Sequence, residues 1–83
     1  MNKAIIKQYM NNITKEDIYK FGIKQNIIIN EHDLNIIYSY IKNDSERIIN
    51  NPEEVINELK DMVNIDTCNK IKELYEKYKI YIK

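Results

Sequence analysis

The chain has 83 residues, of which 13 are basic and 13 acidic, so its formal net charge is zero. This balance provides no overall positive field to attract nucleic acid or anionic lipid, and a chain of this length forms one domain at most, 1–83. The composition is 43% hydrophobic with one glycine and one proline, which favours short helices around a core over disorder or a sheet with many tight turns.

The cysteine content indicates the compartment. Cys68 is the single cysteine, so no internal disulfide can form, and a reducing environment is the natural one. No apolar run approaches the roughly 18–20 residues that span a bilayer, and the N-terminal residues lack the apolar stretch of a signal peptide. We therefore predict a cytoplasmic protein with no membrane partner.

The first part of the sequence predicts two short helices. Apolar residues recur at helical spacing over 3–11, and the asparagines that follow close this segment. Thr14 followed by Asp17 has the spacing of a capping box, in which each side chain bonds the backbone N–H of the other residue. A second helix therefore begins after Thr14 and is expected to run to about Lys24.

The second helix leads into a connector. Gly22 lies inside the helix, where glycine costs about 1 kcal/mol relative to alanine, and we interpret it as room for another helix to approach closely. Asn26 suits a left-handed helix stop. Residues 27–29 are all isoleucine, too short a run for a sheet, so we expect an extended connector whose side chains enter the core; an isolated β-bridge is the alternative.

The central helix is predicted from Glu31 to about Lys42. Asn30 is its N-cap, and Asp33, three residues on, is placed to reach back to the cap. One face of this helix is apolar at the spacing i, i+3, i+4, i+7, and its residues are Leu34, Ile37, Tyr38 and Ile41. We expect the rest of the chain to pack around this face.

Two further helices are predicted after a recapped turn. The turn opens where Asn43-Asp44-Ser45 interrupts the central helix. Asn51-Pro52 supplies a cap and a proline at the first helical position, and the helix that begins there is expected to end at Asn64. Asp66 or Thr67 then caps the last helix. The predicted fold is all-α, a compact bundle of four to five short helices in a single domain.

Several segments, taken together, resemble a known family. They are Thr14-Lys15-Glu16-Asp17-Ile18, Lys24-Gln25-Asn26-Ile27, the Asn30-capped helix that ends in Ser39-Tyr40-Ile41, and the stretch from Asn69 to Lys79. From about Ile13 onward the chain is similar to a domain-of-unknown-function family of short helical proteins from spore-forming Gram-positive bacteria. The resemblance implies a small cytosolic all-helical protein and supplies no catalytic residue.

No group of residues predicts catalysis, a metal site or a cofactor. Glu31, His32 and Asp33 are consecutive on a helix and point about 100° apart, so they cannot share one ion, and we interpret them as a solvated helix start. Cys68 lies near a helix N-terminus, which lowers a thiol pKa, but His32 is the sole histidine and no third residue orients it. We predict that Cys68 packs in the core and that the protein is not an enzyme.

The function that we favour is interaction with a protein partner or a second copy of the chain. Isoleucines are more numerous than one small core requires, and those left outside would form an exposed apolar patch, which usually marks an interaction surface. The residues in question are Ile5, Ile36, Ile48, Ile80 and Ile82.

The alternative is weak binding of single-stranded nucleic acid by the last helix. Aromatic side chains among lysines can stack on unpaired bases, and the candidate residues are Lys70, Lys72, Tyr75, Lys77, Tyr78 and Lys79. Against this alternative, the chain is neutral, and the helix before is acidic and expected to pack antiparallel with offsetting charges. Residues 14–42 also have the outline of a helix-turn-helix, but carboxylates at the start of its second helix would repel phosphates.

Overall fold

The computed structural model describes residues 3–79, and every regular element in that range is helical. In chain order the helices are α1 Lys3–Asn12, α2 Lys15–Lys24, α3 Glu31–Asn43, α4 Ser45–Asn50, α5 Pro52–Leu59 and α6 Ile65–Tyr78. The prediction of an all-α bundle is confirmed, but four to five helices is too low a count, since these residues form six. The additional helix is α4, which the sequence indicated only as a recapped turn.

Capping residues begin several helices where the sequence predicted. At α2 the Thr14 hydroxyl accepts from the Asp17 N–H at 3.1 Å, and the Asp17 carboxylate accepts from the Thr14 N–H at 3.0 Å. This pair confirms the capping box. At α3 the Asn30 side chain accepts from the Asp33 N–H at 2.8 Å. Pro52 is the first residue of α5, where its missing N–H costs no helical bond. The expected side-chain cap at Asn51 is not formed, since the Asn51 side chain makes no capping hydrogen bond.

The start of α6 differs from the prediction. α5 ends at Leu59, well before Asn64, which had been expected to end it. Asn64 instead caps α6, because its side chain accepts from the Asp66 N–H at 3.0 Å. Asp66 and Thr67, the predicted caps, lie inside the first turn of α6.

The connector between α2 and α3 is irregular, not a strand, and it begins at Asn26, which has a φ of 65°. The Asn26 N–H donates to the Ile23 carbonyl and the Ile27 N–H to the Gly22 carbonyl, both at 3.0 Å, which is the paired pattern of a Schellman stop. A Cβ added to Gly22 would lie 2.9 Å from Ile29 Cδ1. Gly22 therefore makes room for the connector, and the expected second helix does not approach it there.

The helices are arranged around α3, which packs against α1, α2 and α4. α4 also packs against α1 and α5, and α5 packs against α6. The buried apolar side chains are Met10, Ile18, Ile29, Val55, Leu59 and Cys68. The radius of gyration is 11.9 Å, close to the roughly 11.8 Å expected for a compact chain of this length. None of the helices in residues 3–79 is long and apolar enough to cross a bilayer.

Candidate functional site

A buried carboxylate joins the first turns of α3 and α6. Asp33 is 1% exposed, and its Oδ2 accepts from the Asn64 N–H at 2.9 Å and from the Thr67 hydroxyl at 3.1 Å. His32 Nδ1 lies 3.1 Å from the other carboxylate oxygen. Asp33 thus gives the cap residue of α6 the bond that a side chain three residues later usually supplies within one helix.

Hydrogen bonds determine the charge of Asp33. Burial on its own raises the pKa of a carboxyl group, but the bonds from the Asn64 N–H, His32 and Thr67 favour the ionised form. Together they outweigh burial and hold the pKa of Asp33 below its ordinary value. The positive ends of two helices also meet at this point. The carboxylate is therefore a stable anion at neutral pH, and its role is to fix α6 to α3.

This junction corrects the prediction of a solvated helix start. Glu31 and His32 are exposed, but Asp33 is buried and bonds α6 instead of reaching back to Asn30. No local pattern in the sequence indicates the contact, because Asp33 lies 31 residues before Asn64 in the chain.

The structure does not bring the candidate catalytic or metal-binding groups together. Cys68 is 2% exposed, whereas 73% of the His32 side chain is exposed and its ring bonds Asp33. Over the described range, 3–79, no three His, Cys, Asp or Glu side chains are grouped to hold a metal ion. The features with binding potential are instead two apolar openings, both of which Ile71 of α6 lines.

The first opening, which we call the large cavity, has a volume of about 650 Å³. Every helix except α2 contributes to it. Its apolar lining residues are Ile6, Met10, Ile37, Ile41, Ile48, Ile49, Pro52, Val55, Ile56, Leu59 and Ile71, and its other lining residues are Lys3, Tyr40, Tyr75 and Lys79. Met10, Val55 and Leu59 are buried, and the other apolar members are half-buried, so solvent reaches part of the lining.

Polar side chains gather at one end of the large cavity. Lys3 Nζ donates to Asn50 Oδ1 at 3.3 Å, which places the start of α1 beside the end of α4. The Tyr75 hydroxyl donates to Glu53 Oε1 at 3.4 Å, and the Lys79 ammonium lies 5.9 Å from the centroid of the Tyr75 ring. The end of α6 therefore lies at the start of α5, and these two helices run antiparallel, as predicted.

The second opening, which we call the α2 groove, has a volume of about 290 Å³. It shares Ile37, Ile41 and Ile71 with the large cavity. Its remaining lining residues are Tyr9, Ile13, Ile18, Phe21, Gly22, Gln25, Ile27, Ile29, Thr67, Lys70 and Leu74. Two large aromatic side chains at the groove are open to solvent, since Tyr9 is 67% and Phe21 49% exposed.

The lysines proposed for nucleic-acid binding do not share one face of α6. Successive helical residues are about 100° apart, so Lys70 and Lys77 lie on one side of the helix and Lys72 and Lys79 on the opposite side. Between them, Tyr75 is half-buried and lines the large cavity. The ring of Tyr75 is therefore turned towards the bundle.

Two of these lysines are engaged within α6. Lys70 pairs with Glu73 at 3.2 Å and Lys79 with Glu76 at 2.8 Å. Tyr78 is 42% exposed, and the ammonium of the preceding lysine lies 5.3 Å from its ring centroid. The candidate residues thus offer one accessible aromatic ring, while the rest of the set is divided between two sides.

The acidic residues of α5 pair with α4. Arg47 forms a two-bond ion pair with Glu58 and lies 3.6 Å from Glu54. The Tyr40 hydroxyl donates to Glu58 at 2.8 Å, and the bonds from Arg47 and Tyr40 hold the pKa of Glu58 below its ordinary value. The expected offset of charges between α5 and α6 is thus replaced, for these two carboxylates, by pairing with Arg47.

Of the isoleucines expected to form an exposed patch, Ile5 is the one that is exposed within residues 3–79. Ile5 is 59% exposed, Ile36 is half-buried, and Ile48 is half-buried in the lining of the large cavity. Ile80 and Ile82 lie outside the described residues. The exposed apolar side chains that border an opening are instead Tyr9 and Phe21, which the sequence did not single out.

Comparison of the chain with protein-family models, with curated protein sequences and with solved structures found no match. The two openings and the groups that line them are therefore the features that bear on function.

Proposed function

We propose that the protein is a non-catalytic interaction module that binds an apolar helical segment of a protein partner in the α2 groove. The observation that supports this proposal most directly is the exposure of Tyr9 and Phe21 beside that groove. Single exposed apolar side chains are ordinary on a folded surface. A pair of exposed aromatic rings next to an apolar groove is the arrangement that marks an interaction site.

The architecture of the α2 groove suits a helix. Its lining comes mainly from α2, the connector after it and α6, and α1 and α3 contribute Tyr9, Ile37 and Ile41. Amphipathic helices occupy such grooves through apolar residues spaced three and four apart. Gln25 and Lys70 add polar groups to the lining, where the polar flanks of a partner helix can bond. A second copy of the chain is one form that this partner can take.

The test compares two double variants. Tyr9→Ser/Phe21→Ser removes both aromatic rings from the α2 groove, whereas Ile5→Ser/Ile28→Ser removes two side chains that are 59% and 75% exposed and lie outside its lining. Sedimentation velocity over a range of concentrations measures self-association of each variant. Retention of other proteins on the immobilised chain, compared between the wild type and the variants, measures heterotypic binding. We expect the groove variant to weaken association about ten-fold or more, since buried aromatic anchors dominate interfaces, and the control variant to match the wild type.

Equal association of the two double variants with the wild type would contradict the proposal. Loss of association in both variants would also contradict it, because the effect would then come from general surface hydrophobicity. Circular dichroism of each variant verifies that the helices are retained.

Weak binding of single-stranded nucleic acid by α6 is the second candidate function. The observation in its favour is the exposed ring of Tyr78 beside the ammonium of Lys77. Each neutralised phosphate of a single strand contributes about −0.7 to the slope of log affinity against log salt. Lys77→Gln should therefore make the slope for an oligothymidine shallower by about 0.7, and Lys24→Gln on α2 is the control. An oligothymidine affinity that is the same in all three proteins would exclude α6 as the binding surface.

A further inference from the structure

We propose that the large cavity binds the unbranched chain of a single long-chain fatty acid, with its carboxylate at Lys3. This ligand site shares Ile37, Ile41 and Ile71 with the α2 groove, but neither Tyr9 nor Phe21 lines it. The inference therefore goes beyond the protein interaction proposed above and does not depend on it.

The lining of the large cavity favours an acyl chain over other small molecules. Its volume of about 650 Å³ lies in the range of roughly 300–1,000 Å³ that ligand pockets occupy. Eleven of its lining residues are isoleucine, valine, leucine, methionine or proline. The one tyrosine hydroxyl away from the polar end, that of Tyr40, already donates to Glu58. Away from the polar end, a ligand in the cavity would therefore make apolar contacts and no hydrogen bond to a lining side chain.

The polar end of the large cavity favours an anionic head group. Lys3 donates to the neutral side chain of Asn50 and pairs with no carboxylate among residues 3–79. Lys79 is already paired with Glu76, and the Tyr75 hydroxyl donates to Glu53. The ammonium of Lys3 is therefore the group at this end that a ligand carboxylate can approach without displacing an existing ion pair.

The position of the polar end also fixes the orientation of the ligand. Lys3 begins α1 and Tyr75 lies near the end of α6, so the head group lies between these two helix ends. The chain then extends past Ile56 of α5 towards Leu59, which is 5% exposed. A fatty acid has this division of a charged end and an apolar body, whereas a planar aromatic ligand or a sugar does not.

The primary test is the dependence of affinity on chain length. Isothermal titration calorimetry is performed with free saturated fatty acids of about eight to about sixteen carbons, each below its critical micelle concentration. Burial of one CH₂ is worth about 0.8 kcal/mol, or about four-fold in affinity, so we expect a two- to four-fold gain per carbon that stops once the cavity is filled. Affinity that does not change with chain length would overturn the proposal.

The head group is tested with the corresponding primary alcohols and with Lys3→Gln. An ion pair at a solvent-exposed end contributes up to about five-fold in affinity. We expect the fatty acid to bind about two- to five-fold more tightly than the alcohol of equal length, and Lys3→Gln to remove this difference while Lys24→Gln, at the end of α2, preserves it. An acid-to-alcohol ratio that is unchanged in Lys3→Gln would overturn the assignment of the head group.

The location of the chain is tested by filling the cavity. Ile56→Phe adds volume to its lining, and Ile28→Phe adds the same volume at a connector residue that is 75% exposed. We expect the affinity for the fatty acid to fall at least ten-fold in Ile56→Phe and to be unchanged in Ile28→Phe. If Ile56→Phe fails to fold, the chain-length series on the wild-type protein still decides the proposal.

Two further measurements separate this inference from its neighbours. Tyr9→Ser/Phe21→Ser should retain fatty-acid binding, because neither residue lines the large cavity. Loss of fatty-acid binding in this variant would place the ligand in the α2 groove and overturn the proposal. Co-sedimentation with phosphatidylglycerol vesicles in the absence of binding to any free fatty acid would show a membrane surface as the ligand, and would overturn it as well.

Discussion

The two ends of α6 are held by different kinds of contact. At its first turn, Thr67 and Cys68 are 4% and 2% exposed, and the carboxylate of Asp33 bonds both the cap N–H and the Thr67 hydroxyl. At its last turns, Tyr75 is half-buried over the large cavity and Tyr78 is 42% exposed. The first turn is fixed by directional polar bonds, whereas the last turns border the large cavity through Tyr75 and Lys79.

This difference shows where the chain fixes its architecture and where it leaves room for a ligand. Bonds to a buried carboxylate depend strongly on geometry, so they define the position at which α6 leaves α3. Contacts between half-buried isoleucines, such as Ile37 and Ile71, depend less on direction, and these side chains leave apolar surface available to a ligand. Anchoring one end of α6 allows the other end to border the large cavity without loss of the fold.

The largest expected effect follows from removing the charge that fixes the first turn of α6. Asp33→Asn keeps the shape of the side chain but weakens the bonds to the Asn64 N–H and Thr67. Hydrogen bonds to charged groups are worth about 1.5–3 kcal/mol, so we expect a loss of about 2–3 kcal/mol from a total of roughly 4–12 for a chain of this length. Urea denaturation should show a lower midpoint with an unchanged slope. Asp61→Asn, at an exposed residue, is the control, and equal midpoints for the two variants would contradict the anchoring role.

Acidification should reduce the difference in unfolding free energy between the wild type and Asp33→Asn. The pKa of Asp33 is lower in the folded chain than its ordinary value of 3.8, so the carboxylate stabilises the fold fully above that value, and the stabilisation is lost as the pH falls through the folded pKa. The gap in unfolding free energy between wild type and Asp33→Asn should be constant above about pH 5 and shrink below about pH 4. Glu58 and Asp17 also have lowered pKa values. Both residues are present in the wild type and in the variant, so their contributions to the difference in unfolding free energy cancel. If this gap widened on acidification, the pKa of Asp33 would be raised in the folded chain and not lowered, which would contradict the prediction.

Local signals in the sequence were sufficient for the starts of α2, α3 and α5, but not for those of α4 and α6. Thr14 with Asp17, and Pro52 after Asn51, act over three residues or fewer, so their geometry is set by the helix itself. The apolar periodicity was sufficient for the all-α class. The number of helices was underestimated because α4 has only six residues, Ser45–Asn50, too few to produce a repeating pattern.

The functional features could not be predicted in the same way. The bond between Asp33 and Thr67 joins residues 34 apart in the chain, and no short pattern encodes such a pair. Ile37 and Ile41 were correctly placed on the inner face of α3, but that face lines both openings. The periodicity of apolar residues predicts which side of a helix faces the core. It does not predict how closely the neighbouring helices approach that side, so it gives no information about a cavity.

The contact between Gly22 of α2 and the connector that follows it gives a smaller effect on stability. Gly22→Ala improves helix propensity by up to about 1 kcal/mol, but its Cβ would lie 2.9 Å from Ile29 Cδ1 and 3.3 Å from the Ile27 carbonyl oxygen. Overpacking costs about 1–3 kcal/mol, so we expect a net loss of about 1 kcal/mol by urea denaturation. Ile29→Val removes the closest atom, so the double variant should be more stable than the sum of the two single losses predicts. Simple additivity would show that Gly22 is not in tight contact with Ile29.

The smallest effect should lie within α6 itself and is measured by amide hydrogen exchange. Local opening is expected to require more free energy at residues 68–71, which follow the Asp33 junction, than at 75–78, which lie far from that junction at the other end of α6. We expect a difference of about 1 kcal/mol, or about five-fold in protection. Because helix ends fray in general, the last turn of α3, residues 40–43, serves as the reference. In Asp33→Asn the excess protection of 68–71 should disappear while that of 75–78 changes little. A uniform loss along the whole helix would show that α6 opens as one unit, and that the polar junction and the apolar half are not independently held.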